Sequence, residues 1–167
     1  MKKRVFVSAF AVLLAFVLLL SGCAKPKAKY FVISAEKKSY APGEELAVAV
    51  SLNNVENVAM FDLTVNYDPE VLTLDEAEDG NAGDFILLVN PENGQVLVKG
   101  FCATTYDFTS ETVAMLYFTV NEGASGSTEL QSTATMFAIG TDDRGDETVD
   151  LTEKNNITAS LKLDIAG

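Results

Sequence analysis

Residues 58–74 read Val58-Ala-Met-Phe-Asp-Leu-Thr-Val-Asn-Tyr-Asp-Pro-Glu-Val-Leu-Thr-Leu74. Taken with period two, the segment sends Ala59, Phe61, Leu63, Val65 and Tyr67 to one side and Val58, Met60, Asp62, Thr64 and Asn66 to the other. That is the pattern of a strand with one buried and one solvated face. Asp68-Pro69 ends it, because proline has no amide donor for the ladder and biases the preceding residue toward extended backbone. Val71, Leu72 and Leu74 then return apolar side chains to the core. The inner face predicts a sandwich, and the polar outer face predicts a surface with a use.

On either side of this segment the pattern is strand after strand. Tyr30–Ala35 opens, residues 40–44 (Tyr-Ala-Pro-Gly-Glu) turn, and Leu46, Val48, Val50 and Leu52 alternate with Glu45, Ala47, Ala49 and Ser51 until Asn53-Asn54 closes that strand. Downstream come an acidic loop from Asp75 to Asp84, a short apolar strand from Phe85 to Val89, and a hairpin turn at residues 90–94 leading into Gln95–Thr104. In that strand Val96, Val98, Gly100 and Cys102 can point inward while Gln95, Leu97, Lys99, Phe101 and Ala103 point out. Thr112, Ala114, Leu116, Phe118 and Val120 form the next inward face. A strand from Ser127 to Ile139, a polar loop from Gly140 to Asp150 and a last strand bearing Ile157, Ala159, Leu161, Leu163 and Ile165 complete the chain. Eight or nine short strands with Gly, Pro and Asn turns, and no helical period, predict an all-β antiparallel β-sandwich.

The N-terminus has a different logic. Lys2, Lys3 and Arg4 precede an apolar run from Val5 to Leu20, then Leu20-Ser21-Gly22-Cys23. A basic start, an apolar centre and small residues before a cut site make a secretory signal over residues 1–22. Leu-Ser-Gly-Cys resembles the lipobox of bacterial lipoproteins, which implies cleavage before Cys23 and its lipidation. The alternative, an uncleaved transmembrane helix, asks for a slightly longer run than this one. Residues 23–29 then form a stem in which Lys25, Lys27 and Lys29 either support the anchor at an anionic leaflet or are simply solvated. The folded domain is expected over residues 30–167, about seven residues or roughly 25 Å of extended chain from Cys23. The expected location is extracytoplasmic, membrane-anchored at the cell surface or in the envelope.

Removing Lys2, Lys3 and Arg4 lowers the basic count from 12 to 9 against 24 acidic residues, a net charge of −15 for the mature chain. Such a chain repels nucleic acid, and its partners are expected to be neutral or locally basic. Histidine is absent, which removes the commonest general base, the usual catalytic zinc sites and the Ser-His-Asp or Cys-His nucleophile arrangements. With Cys23 lipidated, Cys102 has no mate for a disulfide, so the core must hold the domain together.

An opening strand, a Pro-Gly turn, a Val/Leu-rich second strand, Asn-x-x-Asn and then Phe61-Asp-Leu-Thr-Val-Asn-Tyr-Asp-Pro-x-Val-Leu72 resemble the cohesin domain of cellulosome scaffoldins and related surface proteins. Gly94-Gln95-Val96-Leu97-Val98, the strand Thr112–Val120 and the closing Ile157–Ile165 follow in similar order. The resemblance implies a nine-stranded jelly roll that binds dockerin modules, small helical pairs loaded with calcium, and does so without catalysis or a cofactor of its own. It places the acidic binding residue at Asp62 and the binding face on that strand and its neighbour. Asp62, Thr64, Asn66, Leu97, Lys99, Phe101, Ala103, Thr104 and Thr105 are therefore the candidate partner-binding residues, a mixed apolar and polar plateau of the kind interfaces use. A register shifted by one would instead bury Phe101. Tyr106 and Phe108 either rim the site or pack beneath a loop over residues 104–109. The chain departs from many family members at Thr104 and Thr105, where an acidic residue is common, and at Met60, where a polar one is.

Other stretches and compositions allow other readings. Asp142-Asp-Arg-Gly-Asp-Glu147 could ligate calcium but lacks the spacing of a calcium loop, and its Arg-Gly-Asp is a weak adhesion signal. Nothing selects a catalytic pair from 24 acidic residues for glycoside hydrolysis. Polysaccharide binding by stacked aromatics is disfavoured by the absence of Trp, and a purely structural envelope lipoprotein remains an alternative.

Overall fold

The computed structural model describes residues 31–83, 85–142, 145–150 and 158–167; Cys23, the signal segment, the stem lysines, Asp143, Arg144 and Ile157 lie outside them. Among the described residues there are nine strands and no helix: β1 (Phe31–Ala35), β2 (Ser39–Tyr40), β3 (Glu45–Asn66), β4 (Leu72–Asp79), β5 (Ile86–Glu92), β6 (Gln95–Val120), β7 (Gly126–Asp142), β8 (Gly145–Asp150) and β9 (Thr158–Ile165).

Two long strands form the spine. β3 and β6 pair antiparallel over nearly their whole length, from Glu45 opposite Thr119 to Asn66 opposite Gln95. Their outer partners change along the way. The first half of β3 lies between β1 and the second half of β6, and β4 adds to that half of β6. The second half of β3 lies between β7 and the first half of β6, and β5 adds to that half of β6. The ribbon thus passes from one layer of the sandwich to the other. β8 and β9 extend the second layer from β7, and β2 joins β9 in a short parallel pair, Ser39–Tyr40 with Asp164–Ile165, which the antiparallel expectation did not include.

The crossing explains where the chain departs from strict alternation. Asn53-Asn54 does not close a strand: β3 runs through, bent by positive φ at Asn54 (50°) and Asn57 (58°), a region asparagine tolerates better than other non-glycine residues. Asp107 pins the bend by accepting a hydrogen bond from the Asn57 amide at 2.8 Å. Register shifts between Val55 and Met60 turn Val58 inward, so it is buried with Ala59 instead of lying on the outer face. Residues 104–109 are likewise part of β6 and not a loop. Phe108 is buried there and packs with Phe61, Phe85 and Tyr106 at ring separations of 5.0 to 5.9 Å, so these aromatics fill the corner and do not rim a site. A bulge also buries Val113 beside Ala114, leaving Thr112 half-buried.

Two expected acidic loops contain strand. Residues 72–79 form β4, at the edge of the first layer, where charged side chains discourage pairing with other chains. Residues 140–142 and 145–150 belong to the β7–β8 hairpin. The turns use the residues their geometry needs. Glu44 donates its amide to the Ala41 carbonyl across Pro42-Gly43, with Gly43 at φ 78° in the manner of a type II turn. At the Asp68-Pro69 corner the Asp68 carboxylate accepts the Glu70 amide and its carbonyl accepts those of Val71 and Leu72. Between the layers, Phe61, Leu63, Val65, Val96, Val98 and Leu130 meet Val48, Val50, Leu52, Leu116, Phe118 and Val120, all at or near full burial. This one core stabilises the sandwich by removing apolar surface from water.

Candidate functional site

Residues directly opposite one another in an antiparallel ladder project from the same face. Tracing the register across β5, β6 and β3 therefore defines the outer surface of the second layer in four rows. Ile86, Phe101 and Met60 form the first, Leu88, Lys99 and Asp62 the second, Asn90, Leu97 and Thr64 the third, and Glu92, Gln95 and Asn66 the fourth. Six of the expected residues, Asp62, Thr64, Asn66, Leu97, Lys99 and Phe101, thus share one face. Phe101 is 43% exposed, so the register that would have buried it is not the one adopted.

Ala103, Thr104 and Thr105 behave differently. Between the pairs Met60–Phe101 and Val58–Tyr106, β6 carries four residues where β3 carries only Ala59. Ala103 and Thr104 are exposed and Thr105 half-buried within this irregular stretch, at the end of the face and outside the paired rows. Beside them the Cys102 thiol is half-buried against the carbonyls of Val58, Ala59 and Thr104.

Charge is sparse on these rows, an Asp62–Lys99 pair in the second and Glu92 in the fourth. Lys99 Nζ stands 3.1 Å from Asp62 Oδ2, directly across the ladder, and Gln95 Nε2 donates to Asn66 Oδ1 at 3.0 Å in the fourth row. Both members of the ion pair are about half exposed, so solvent screens it and its role is to orient the two side chains. The perturbed titrations lie elsewhere. Hydrogen bonds from Ser160 and Gln131 hold the Glu129 carboxyl below its usual range at the β7–β9 side, and Glu78 raises the Tyr117 hydroxyl on the opposite layer. Among the described residues no group of His, Cys, Asp or Glu is arranged to hold a metal ion.

Among the residues whose burial is described, the exposed large apolar side chains are Met60 (48%), Ile86 (55%), Leu88 (54%) and Phe101 (43%), and all four fall in the first two rows. Ile86 and Leu88 were missed by sequence reasoning because Phe85–Val89 is an unbroken apolar run, in which alternation is invisible. The signal was nevertheless present in the hairpin. With Glu92 opposite Gln95 across Asn93-Gly94, the outward residues 97, 99 and 101 require 90, 88 and 86 to be outward as well.

A family model described as the cohesin domain matches residues 31–158. The seventh type I cohesin of ScaB from Pseudobacteroides cellulosolvens superposes with a TM-score of 0.61 at 17% identity, covering 83% of this chain and 93% of that one. A non-cellulosomal cohesin from the archaeon Archaeoglobus fulgidus gives 0.57 at 17% identity, with 82% and 90% covered. The cohesin module of a family 33 glycoside hydrolase from Clostridium perfringens gives 0.56 at 12%, with 82% and 97% covered. No curated protein sequence matches the chain.

Proposed function

Because the chain belongs to the cohesin domain family, a family of non-catalytic protein-interaction modules, we propose that it captures a dockerin-bearing protein on the outer face of β5, β6 and β3. The observation that carries this reading is the gathering of all four exposed large apolar side chains among the described residues onto that face, beside a hydrogen-bonding cluster. Apolar anchors bordered by polar groups supply most of the energy in protein interfaces. A cohesin seen in complex with a dockerin is among the structural relatives, at 18% identity and a TM-score of 0.53. The calcium would be carried by the partner. Cys23, lipidated after removal of residues 1–22, would hold the domain at the outer side of a membrane, with the captured protein, for instance a polysaccharide-degrading enzyme, close by.

Calorimetric titration with a panel of calcium-loaded dockerin modules tests the proposal. A saturable one-to-one heat with at least one member is expected. Failure across the panel, together with chelator-resistant retardation on polysaccharide gels, would transfer the function to sugar binding. That alternative has little structural support, since among the aromatic residues whose burial is described Phe101 alone is largely exposed.

A further inference from the structure

The chain has a net charge of −12, yet the three strands of the proposed binding face carry little of that charge, and unevenly. Of the twelve residues in the four rows, only Asp62, Lys99 and Glu92 are charged, and Lys99 neutralises Asp62 at 3.1 Å. Glu92 stands in the fourth row, at the opposite end from the apolar group. The face is therefore polarised, with aliphatic and aromatic groups in the first two rows and hydrogen-bonding groups in the last. Within these three strands the apolar end has no unmatched charge with which to attract a cation.

We propose that the partner presents aliphatic side chains, not basic ones, to the Ile86–Leu88–Phe101–Met60 end, and that Ile86 and Leu88 on the edge strand β5 determine which partner is accepted. This rests on the dockerin-capture reading above and names the chemistry of that contact. Adjacent strands lie about 4.8 Å apart and alternate residues along a strand about 6.7 Å apart. The four side chains thus cover an area that two aliphatic residues one helical turn apart, about 5–6 Å between their Cβ atoms, can reach together. Burial there would release water from four roughly half-exposed apolar groups. A basic residue placed at the same end would lose its hydration without gaining an anion from β5, β6 or β3.

The test is a display library of calcium-loaded dockerin helical pairs, randomised at exposed helix positions to aliphatic, basic, acidic or neutral polar residues and selected on the folded domain. Enrichment of aliphatic residues is expected, with affinity changing less than about threefold as salt shortens the Debye length from roughly 10 Å to 3 Å. Ile86→Thr and Leu88→Thr each leave a residue of high β propensity on the strand. Each is expected to weaken the selected binders about tenfold, the effect of losing an interface anchor, with the melting temperature unmoved. Enrichment of lysine and arginine, a steep loss of affinity with salt, or undiminished binding to the double variant would each overturn the inference while leaving dockerin capture intact. If no library member binds, the capture reading falls and this inference falls with it.

Discussion

Gly100 stands directly opposite Phe61 in the β3–β6 ladder, and the Phe61 ring occupies the space that a side chain at position 100 would need. The pair sits behind the proposed binding face, with Phe61 stacked on Phe85 and edge-on to Phe108. A methyl group at position 100 must displace that ring in a closely packed core. Gly100→Ala is expected to destabilise the domain by about 1–3 kcal/mol, the usual range for overpacking. Urea denaturation checks it: the midpoint falls with an unchanged slope, and adding Phe61→Leu recovers part of the loss.

The face itself is expected to separate binding from stability. Asp62→Ala and Phe101→Ser remove exposed side chains, so each leaves the melting temperature within a few degrees of the parent. Each weakens dockerin capture by about tenfold or more, as expected of interface anchors. Calorimetry on the double variant is decisive, since tight binding by that protein would remove this face from the mechanism.

Lys37 and Glu44 give a pH signature. Its hydrogen bond from Lys37 is the main cause that holds the Glu44 carboxyl below 4.5, with the Ala41 amide adding to it, and the same bond raises Lys37 above 10.5. For Glu44 the folded pKa is depressed, so its contribution is present above about pH 4.5 and is lost as pH falls through the folded value. For Lys37 the folded pKa is raised, so its contribution holds below pH 10.5 and is lost as pH climbs through the folded value. Both groups are solvent-exposed, and the effect is small. Melting curves of parent and Glu44→Gln should differ most between those limits and converge beyond each. A constant offset from pH 3 to 11 would contradict the assignment.

Membrane attachment through Cys23 predicts that Cys23→Ser moves the protein from the membrane fraction to the soluble fraction or the medium. Metabolic labelling with a radioactive fatty acid should be lost in parallel. Unchanged fractionation would reject the lipid as the tether.

Where alternation was clean and the chain straight, the fold could be read directly. Ala59, Phe61, Leu63, Val65, Val96 and Val98 lie inward as their period requires, and the outward set from Asp62 to Phe101 follows from the same two-residue repeat. Legibility failed where backbone geometry breaks the repeat. Asn54 and Asn57 take positive φ and bend β3 while its ladder with β6 continues past residues that look like its end, and the accompanying bulges turn Val58 and Val113 inward. Composition misled in the other direction at β4. Asp75, Glu76, Glu78 and Asp79 look like a loop, yet an edge strand with one solvated face accommodates them. Ile86 and Leu88 were hidden because residues 86–89 are apolar on both faces of β5, so only pairing with β6 separates inside from outside.

The pairing of β1 with β3 has a mechanical consequence. β1 joins Phe31–Ala35 to Val48–Leu52 in a five-residue antiparallel ladder, and Phe31 is where any tension from the N-terminal side enters the described domain. A pull along β1 loads those rungs in shear, because ladder hydrogen bonds run across the strand direction and must be strained together. Their far side is β3, which also carries Met60, Asp62, Thr64 and Asn66. Drag on a bulky cargo seated at those residues would therefore travel along β3 and cross this one ladder to reach Phe31.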